Sequence, residues 1–274
     1  MDQERLDKLK RLSLEMRRSI LLMARDCGGS THLGGGLSEV DILAVLYGAV
    51  LKFDPADPER PERDRFILSK GHGVLGYYAA LAEAGFFPKS LLAEYQRNET
   101  DLGAHPVRQP RLGIESTNGS LGQGLSYGLG LALGAKMKGL GHRVFVLLGN
   151  GECDEGSVWE AVMAAAQFKL DNLTAIVDDN GQQSDGPSPE IIDLSPLAGK
   201  FQSFGWQTLE ADGHDHAALF EALSGLPAPG RPRVLVARTV KGKGVSFMEN
   251  KPEWHHNRLT ANLYEQALSE LEGA

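Results

Sequence analysis

The chain has 274 residues, 42% of them apolar and 23% charged, with a formal net charge of −8. That size and balance allow a sizeable core and exclude disorder. The acidity argues against nucleic acid or an anionic membrane as partner, because both reward clustered positive charge.

Two cysteines, Cys27 and Cys153, cannot supply a disulfide framework. No apolar run reaches the roughly 18–20 residues of a membrane span. The charged start Met1-Asp2-Gln3-Glu4-Arg5 is unlike a secretory signal. A cytoplasmic protein is expected. Its 33 glycines, well above the usual ~7%, need an explanation.

Leu6, Leu9, Ser13, Met16, Ile20 and Met23 recur at helical spacing, which predicts an N-terminal helical arm over about residues 1–28. Residues 41–51 read as a buried helix, broken by Asp54-Pro-Ala-Asp-Pro. A short strand at 65–69 runs straight into Gly71-His72-Gly73 and a helix to about residue 83. A loop rich in Gly, Pro and polar residues covers 98–120. Residues 121–138 form a helix whose Gly122, Gly124, Gly128, Gly130 and Gly134 let another backbone come close, either the sheet's or a partner's. The strongest strand, 144–148, is a continuous apolar run of the kind buried on both faces of a parallel sheet. A helix at about 157–168 and a second apolar strand at 173–177 follow. Two further alternations come next: a strand at 206–210 with a helix at 217–224, then a strand at 234–239 with a C-terminal helix. The alternation predicts an α/β fold, a doubly wound, mainly parallel sheet with helices on both faces, with 1–274 as one domain.

In such a sheet ligands sit beyond the carboxyl ends of the strands. Gly149-Asn150-Gly151-Glu152 follows one apolar strand and Asp178-Asp179-Asn180-Gly181 the other. Glycines at the first turn let backbone N–H groups approach an anion, and the next helix N-terminus adds partial positive charge. Oxygen side chains suit a hard cation such as Mg²⁺. A metal-bridged diphosphate is the ligand this pattern predicts. Two other phosphate motifs are absent: there is no third glycine of a dinucleotide fingerprint and no G-x-x-x-x-G-K-[ST].

Gly149-x-Gly151 followed by Asn180 resembles the thiamine diphosphate motif, and the stretches around it resemble transketolase. They are Ser30-Thr-His32-Leu-Gly-Gly, Leu68-Ser-Lys-Gly-His72-Gly, Gly103-Ala-His105-Pro, Gly119-Ser-Leu121-Gly-Gln-Gly, Gly151-Glu-Cys-Asp-Glu155-Gly, Thr239-Val-Lys241-Gly-Lys243-Gly and Trp254-His255. They run in family order through nearly the whole chain. The resemblance implies thiamine diphosphate with Mg²⁺ as cofactors. It places Gly149, Asn150, Gly151, Glu152 and Asn180 at the diphosphate, with Asn150, Asn180 and the carbonyl of Gln182 on the metal. It implies Gly119 and Leu121 at the aminopyrimidine and His72 facing the diphosphate. His105 and His255 would serve the sugar hydroxyls, and His32 proton transfer at the acceptor. Neutral imidazole suits that work, since it both donates and accepts near pH 7.

Other histidines carry plainer readings. His142 is expected in an exposed turn, His214 and His216 in a turn and helix cap, and His256 in a polar segment. Lys241 and Lys243 read as a solvated basic turn or a phosphate contact.

Two departures from the family qualify the resemblance. The family has an aspartate where this chain has Asn150, and an amide is a weaker ligand for a hard cation. Single-chain transketolases are roughly twice as long, so what is similar is the diphosphate half. The pyrimidine-binding half, with the glutamate that helps ionise the cofactor, is expected on a separate C-terminal subunit. The resulting expectation is the N-terminal subunit of a split transketolase, assembled as a two-plus-two heterotetramer. It would transfer a two-carbon glycolaldehyde unit from a ketose (phosphate) to an aldehyde. Two alternatives stay open: a specialised pair with a non-pentose or carrier-bound acceptor, and a non-catalytic assembly subunit.

Overall fold

The computed structural model describes residues 1–273. Its elements begin with α1 (Gln3–Cys27), β1 (Ser30–Thr31), α2 (Leu33–Ser38), α3 (Val40–Val45), β2 (Arg65–Leu68), α4 (Val74–Glu83), α5 (Gly124–Met137) and β3 (Val144–Gly149). There follow α6 (Gly156–Gln167), β4 (Leu173–Asp179), α7 (Ser188–Ile191), α8 (Leu197–Ser203), β5 (Gln207–Asp212), α9 (His216–Ser224), β6 (Arg233–Arg238), β7 (Asn257–Arg258) and α10 (Ala261–Glu272). Five strands form one wholly parallel sheet in the order β2-β3-β4-β6-β5. Apolar side chains pointing to opposite faces of each strand join two separate cores. One holds α1 to α4, α9 and α10; the other holds α5, α6 and α8. The doubly wound α/β architecture is therefore present. Every residue of β3 is buried, as its unbroken apolar run requires.

Asp2 caps α1 by accepting from the Arg5 N–H (2.8 Å), and Gly28 closes it in the left-handed region. Leu9, Met16, Ile20 and Met23 are buried along the predicted stripe, and the helix packs against α3, α4 and α10 rather than projecting from the body. Among the described residues no helix is long and apolar enough to cross a membrane.

Some boundaries differ from the sequence expectation, each for a physical reason. The helix expected from residue 121 starts at Gly124, because the preceding turn is pinned elsewhere: Glu152 Oε1 accepts from the Gly122 N–H (2.9 Å) and Ser157 Oγ donates to the Gly122 carbonyl (3.1 Å). The buried helix expected at 41–51 starts at Val40 and ends in a wider π turn, Leu46–Val50. Helix α2, Leu-Gly-Gly-Gly-Leu-Ser, forms against propensity, since each glycine costs about 1 kcal/mol relative to alanine. All six of its residues are buried, so packing decides. The small residues of α5 divide by face. A Cβ at Gly124 would overlap Ser69 and one at Gly128 would overlap Val146, whereas Gly130 and Gly134 meet nothing within 4 Å. The sheet claims one pair, and the other looks outward.

Candidate active site

The site lies where the sheet order places it, beyond the carboxyl ends of β2, β3, β4 and β6. A cavity of about 270 Å³ is lined by His32, Gly35, Lys70, His72, His105, Gly119, Leu121, Gly149, Asn150, Gly151, Glu152, Asn180, Gln182, Gln183, Ser184, Lys241 and His255. Every residue nominated from the sequence borders this one space.

A two-stranded antiparallel ribbon assembles the histidines. Ser30 pairs with Arg258 and Thr31 with Asn257, so the next register step sets His32 opposite His256. The His32 ring lies 5.4 Å from His72, 5.8 Å from His105, 5.4 Å from His255 and 4.5 Å from His256, centroid to centroid. His256, read from sequence as part of a polar segment, therefore joins the cluster. At Gly35 a side chain would crowd the His72 ring, with a Cβ only 3.2 Å from its Cδ2. Burial, with neighbouring cations, lowers the imidazoles. His32 falls to about 3 through burial and then His256, His255, His105 and Lys241; His255 falls to about 4 through burial, Lys241 and Lys70. Burial also lowers His72 and His105. These four rings are neutral at pH 7, able to give or take a proton.

At the other end of the cavity the glycine turn is held by Glu152. Its carboxylate accepts from Ser69 Oγ, from the Gly122 N–H (2.9 Å) and from the Gly149 N–H (3.1 Å). All of these donors belong to the surrounding loops, so Glu152 fixes the turns that frame the cavity and does not reach a ligand. Asp154, which could stand in for a missing metal carboxylate, instead accepts from Gln183 Nε2 (2.7 Å). Asn150 Nδ2 donates to Ser188 Oγ (2.6 Å), which leaves its Oδ1 for another partner. Asn180 Oδ1 accepts from the Gln182 N–H (3.1 Å). The bridge between Gln182 and Pro187 uses flanking groups, Ser188 N–H to Gly181 O and Gln183 N–H to Gly186 O (both 2.9 Å), so the Gln182 carbonyl is not consumed by it. Among the described residues no three His, Cys, Asp or Glu side chains gather as a metal site. The oxygens near the turn are amides and carbonyls, neutral donors that fit a hard cation when an anionic ligand supplies the charge.

That charge complement is present, in residues the sequence reading passed over. Lys70 is buried beneath the cavity, its Nζ on Gly35 O (2.9 Å), Glu39 Oε2 (2.9 Å) and Asp178 Oδ2. Asp178 also accepts from Ser38 Oγ (2.6 Å), Thr239 Oγ1 and Asn180 Nδ2 (3.3 Å). Burial opposes every charge here, but Asp178 and Glu39 hold Lys70 well above the usual lysine value, and Lys70 holds Asp178 low. Burial pushes Glu39 up to about 8. Lys241 is also buried, donating to Gln183 O (3.0 Å) and lying 2.7 Å from His255 Nδ1; burial and Lys70 lower it to about 8. It is no solvated turn, whereas Lys243 pairs with Glu249 (3.3 Å) at the surface. The signal for Lys70 and Lys241 lay in glycine-flanked lysines beside motif histidines.

The remaining histidines are structural. Asp215 caps α9 as expected, but the rings of His214 and His216 turn inward toward Asp41. His142 is buried, 8% exposed, not set in an exposed turn.

A diphosphate-sized cavity with two buried lysines, neutral oxygen donors and a histidine cluster at a parallel sheet edge defines a thiamine diphosphate-binding domain. The sequence profile described as "Transketolase, thiamine diphosphate binding domain" matches residues 11–271. One of the two chains of the apulose-4-phosphate transketolase of Actinobacillus succinogenes is 43% identical over 97% of this chain and 96% of its own length. The 6-deoxy-6-sulfo-D-fructose transketolase subunit SqwG of a Clostridium species is 43% identical over 89% of each chain. Human transketolase is 37% identical over 98% of this chain, which spans 43% of the human protein. Among solved structures, transketolase from Leishmania mexicana superposes with a TM-score of 0.87 at 26% identity, over 96% of this chain and 41% of that one. The chain belongs to the transketolase family.

Proposed function

We propose that this chain is the diphosphate-binding, N-terminal subunit of a two-chain transketolase, active with a partner that carries the pyrimidine-binding half. One observation carries the reading. The histidine cluster and buried lysines of a ketol-transfer site are assembled in a chain that matches nearly the full length of relatives named as single subunits, but less than half of human transketolase. The substrate class is a ketose with an anionic group away from its carbonyl, since the two relatives described above are named for a sugar phosphate and a sulfo-sugar. The donor passes a two-carbon glycolaldehyde unit to an aldehyde acceptor.

Thiamine diphosphate, when bound, supplies the nucleophilic carbon that opens the ketose beside its carbonyl. The protein's residues bind, orient and move protons. Lys241 supplies the cation facing the diphosphate, with His72 beside it. Asn150 Oδ1, Asn180 and the Gln182 carbonyl are the ligands proposed for Mg²⁺, and the backbone at Gly119 and Leu121 the contact proposed for the aminopyrimidine. Because the Lys241 ammonium donates to His255 Nδ1, the His255 proton resides on Nε2. From there His255, with His105, serves the sugar hydroxyls, and His32 serves the acceptor.

The two-plus-two heterotetramer and cytoplasmic location are part of the same proposal. A non-catalytic assembly role is not favoured, because it gives no reason for a neutral histidine cluster beside two buried lysines. Nothing supports a carrier-bound acceptor either. The test is direct. The co-purified pair, given thiamine diphosphate, Mg²⁺, a ketose phosphate or sulfo-ketose donor and an aldose acceptor, should form the two-carbon-extended ketose. The isolated chain should bind the cofactor far more weakly than the pair. A pair that loads cofactor but transfers nothing from any such donor would refute the reading.

A further inference from the structure

Behind the loop that carries Lys241, on the side away from the cavity, lies a second buried network. Asp41 on α3 is 3% exposed and receives both guanidinium nitrogens of Arg17, Nη1 to Oδ1 at 3.0 Å and Nη2 to Oδ2 at 2.7 Å. His214 Nδ1 lies 2.8 Å from Asp41 Oδ2, and His214 Nε2 lies 2.8 Å from the backbone nitrogen of Val240. A backbone N–H can only donate, so Nε2 is the acceptor and the ring proton sits on Nδ1, directed at Asp41. The tautomer is thus dictated by the geometry. Arg17 Nε reaches the other end of the same loop, donating to the Lys243 carbonyl (3.2 Å). The two bonds bracket Lys241. Between them Gly242 takes φ 82° and its N–H donates to Gly34 O (3.0 Å), and a Cβ there would meet Met248 O. The loop has a single available course, and its outer face is tied to Asp41 through Arg17 and His214.

We infer that His214, oriented by Asp41, is a positioning residue for ketol transfer: it fixes the Val240–Lys243 backbone so that Lys241 holds His255 in the tautomer with its proton on Nε2. His214 touches neither substrate nor cofactor in this arrangement and acts through the peptide chain. The inference rests on the proposed ketol-transfer function only for its kinetic consequence, and the structural consequence can be read separately.

The experiment compares His214→Ala with His214→Gln in the assembled pair. The Gln side chain keeps an acceptor for Val240 N–H and a donor for Asp41; Ala keeps neither. His214→Ala should lower kcat by on the order of tenfold to a hundredfold, as a small misplacement of a reacting group does, with KM for donor and acceptor changed less than about threefold. His214→Gln should recover most of that loss. In parallel, ¹⁵N spectra of the imidazoles in the wild-type pair should show His255 as the Nε2–H tautomer, and in His214→Ala as a mixture of tautomers. An unchanged His255 spectrum in a folded His214→Ala variant would overturn the positioning role whatever the kinetics. If His214→Ala fails to fold, the His214→Gln spectrum and kinetics decide: a displaced tautomer with a lowered kcat supports the inference, and wild-type values for both together with unaltered KM overturn any need for the imidazole itself. Absence of transfer by the wild-type pair would count against the function and leave the tautomer measurement standing on its own.

Discussion

His32 and His256 face each other across the β1–β7 ribbon, one register step beyond the Thr31–Asn257 pair, with ring centroids 4.5 Å apart. Rings held that close, with His72, His105 and His255 around them, cannot all take on charge without strong mutual repulsion.

Acid stability follows from this crowding. His32 and His255 have folded values near 3 and 4 against an unfolded 6.5, so the unfolded chain binds protons that the folded chain refuses. Their contribution is fully present above pH 6.5 and is lost as pH falls from 6.5 toward about 3. Urea midpoints should therefore drop steadily between pH 7.5 and pH 5, and His32→Gln should flatten that slope. A variant with the same slope as wild type would mean the cluster is not its source.

The Lys70–Asp178 pair is expected to behave as a unit. Both groups are essentially inaccessible to water. Lys70→Met leaves an uncompensated buried carboxylate, which should cost about 3–5 kcal/mol of stability. Adding Asp178→Asn should recover a substantial part of that loss. Denaturant titrations of the four members of the cycle measure the coupling; additive losses would show that the two residues act independently.

Asn150→Asp places a carboxylate where the chain has an amide, and an aspartate can still accept from Ser188 Oγ. Mg²⁺-dependent binding of thiamine diphosphate by the assembled pair should tighten by about 1–2 kcal/mol, the scale of a charge-assisted contact. Calorimetry that finds the affinity unchanged or reduced would remove Asn150 from the proposed ligands.

Two glycines on one helix should respond in opposite ways. Gly128 rests on Val146, so Gly128→Leu overpacks the second core and should cost about 1–3 kcal/mol or more in thermal or chemical unfolding. Gly130 faces open space, near the exposed Tyr127. Gly130→Leu should leave monomer stability within ~0.5 kcal/mol of wild type, yet hinder assembly with the partner. Sedimentation of the co-expressed pair checks the second half, and intact heterotetramer would exclude this face from the interface.

How much of this could be read in advance depends on the range of the interaction concerned. Strands β3, β4 and β6 announce themselves through unbroken apolar runs, and the glycine turn after β3 marks the ligand end of the sheet. The four motif histidines are legible because each sits among glycines in a recognisable stretch. What pattern cannot supply is pairing. The β1–β7 ribbon is two residues deep on each side and joins distant parts of the chain, so His256 shows no local sign of its company. Lys70 lies in a glycine-rich turn that alone reads as solvated, and only Ser38, Glu39 and Asp178, from two other elements, make it a buried cation. Lys241 is hidden from sequence for the same reason. The stripe in α5 reads as one face, although helix geometry sends Gly128 and Gly130 to opposite sides.

The ribbon has a temporal consequence as well. His32 and His256 are separated by 224 positions, and at ~5–20 residues per second a ribosome needs roughly ten seconds or longer to make that stretch. Through this interval the parallel sheet can already be pairing, while His32 waits without the strand that sets its ring in place. Synthesis thus orders events: the nascent chain acquires its scaffold early and its chemistry late. A half-made polypeptide has no finished pocket with which to sequester cofactor.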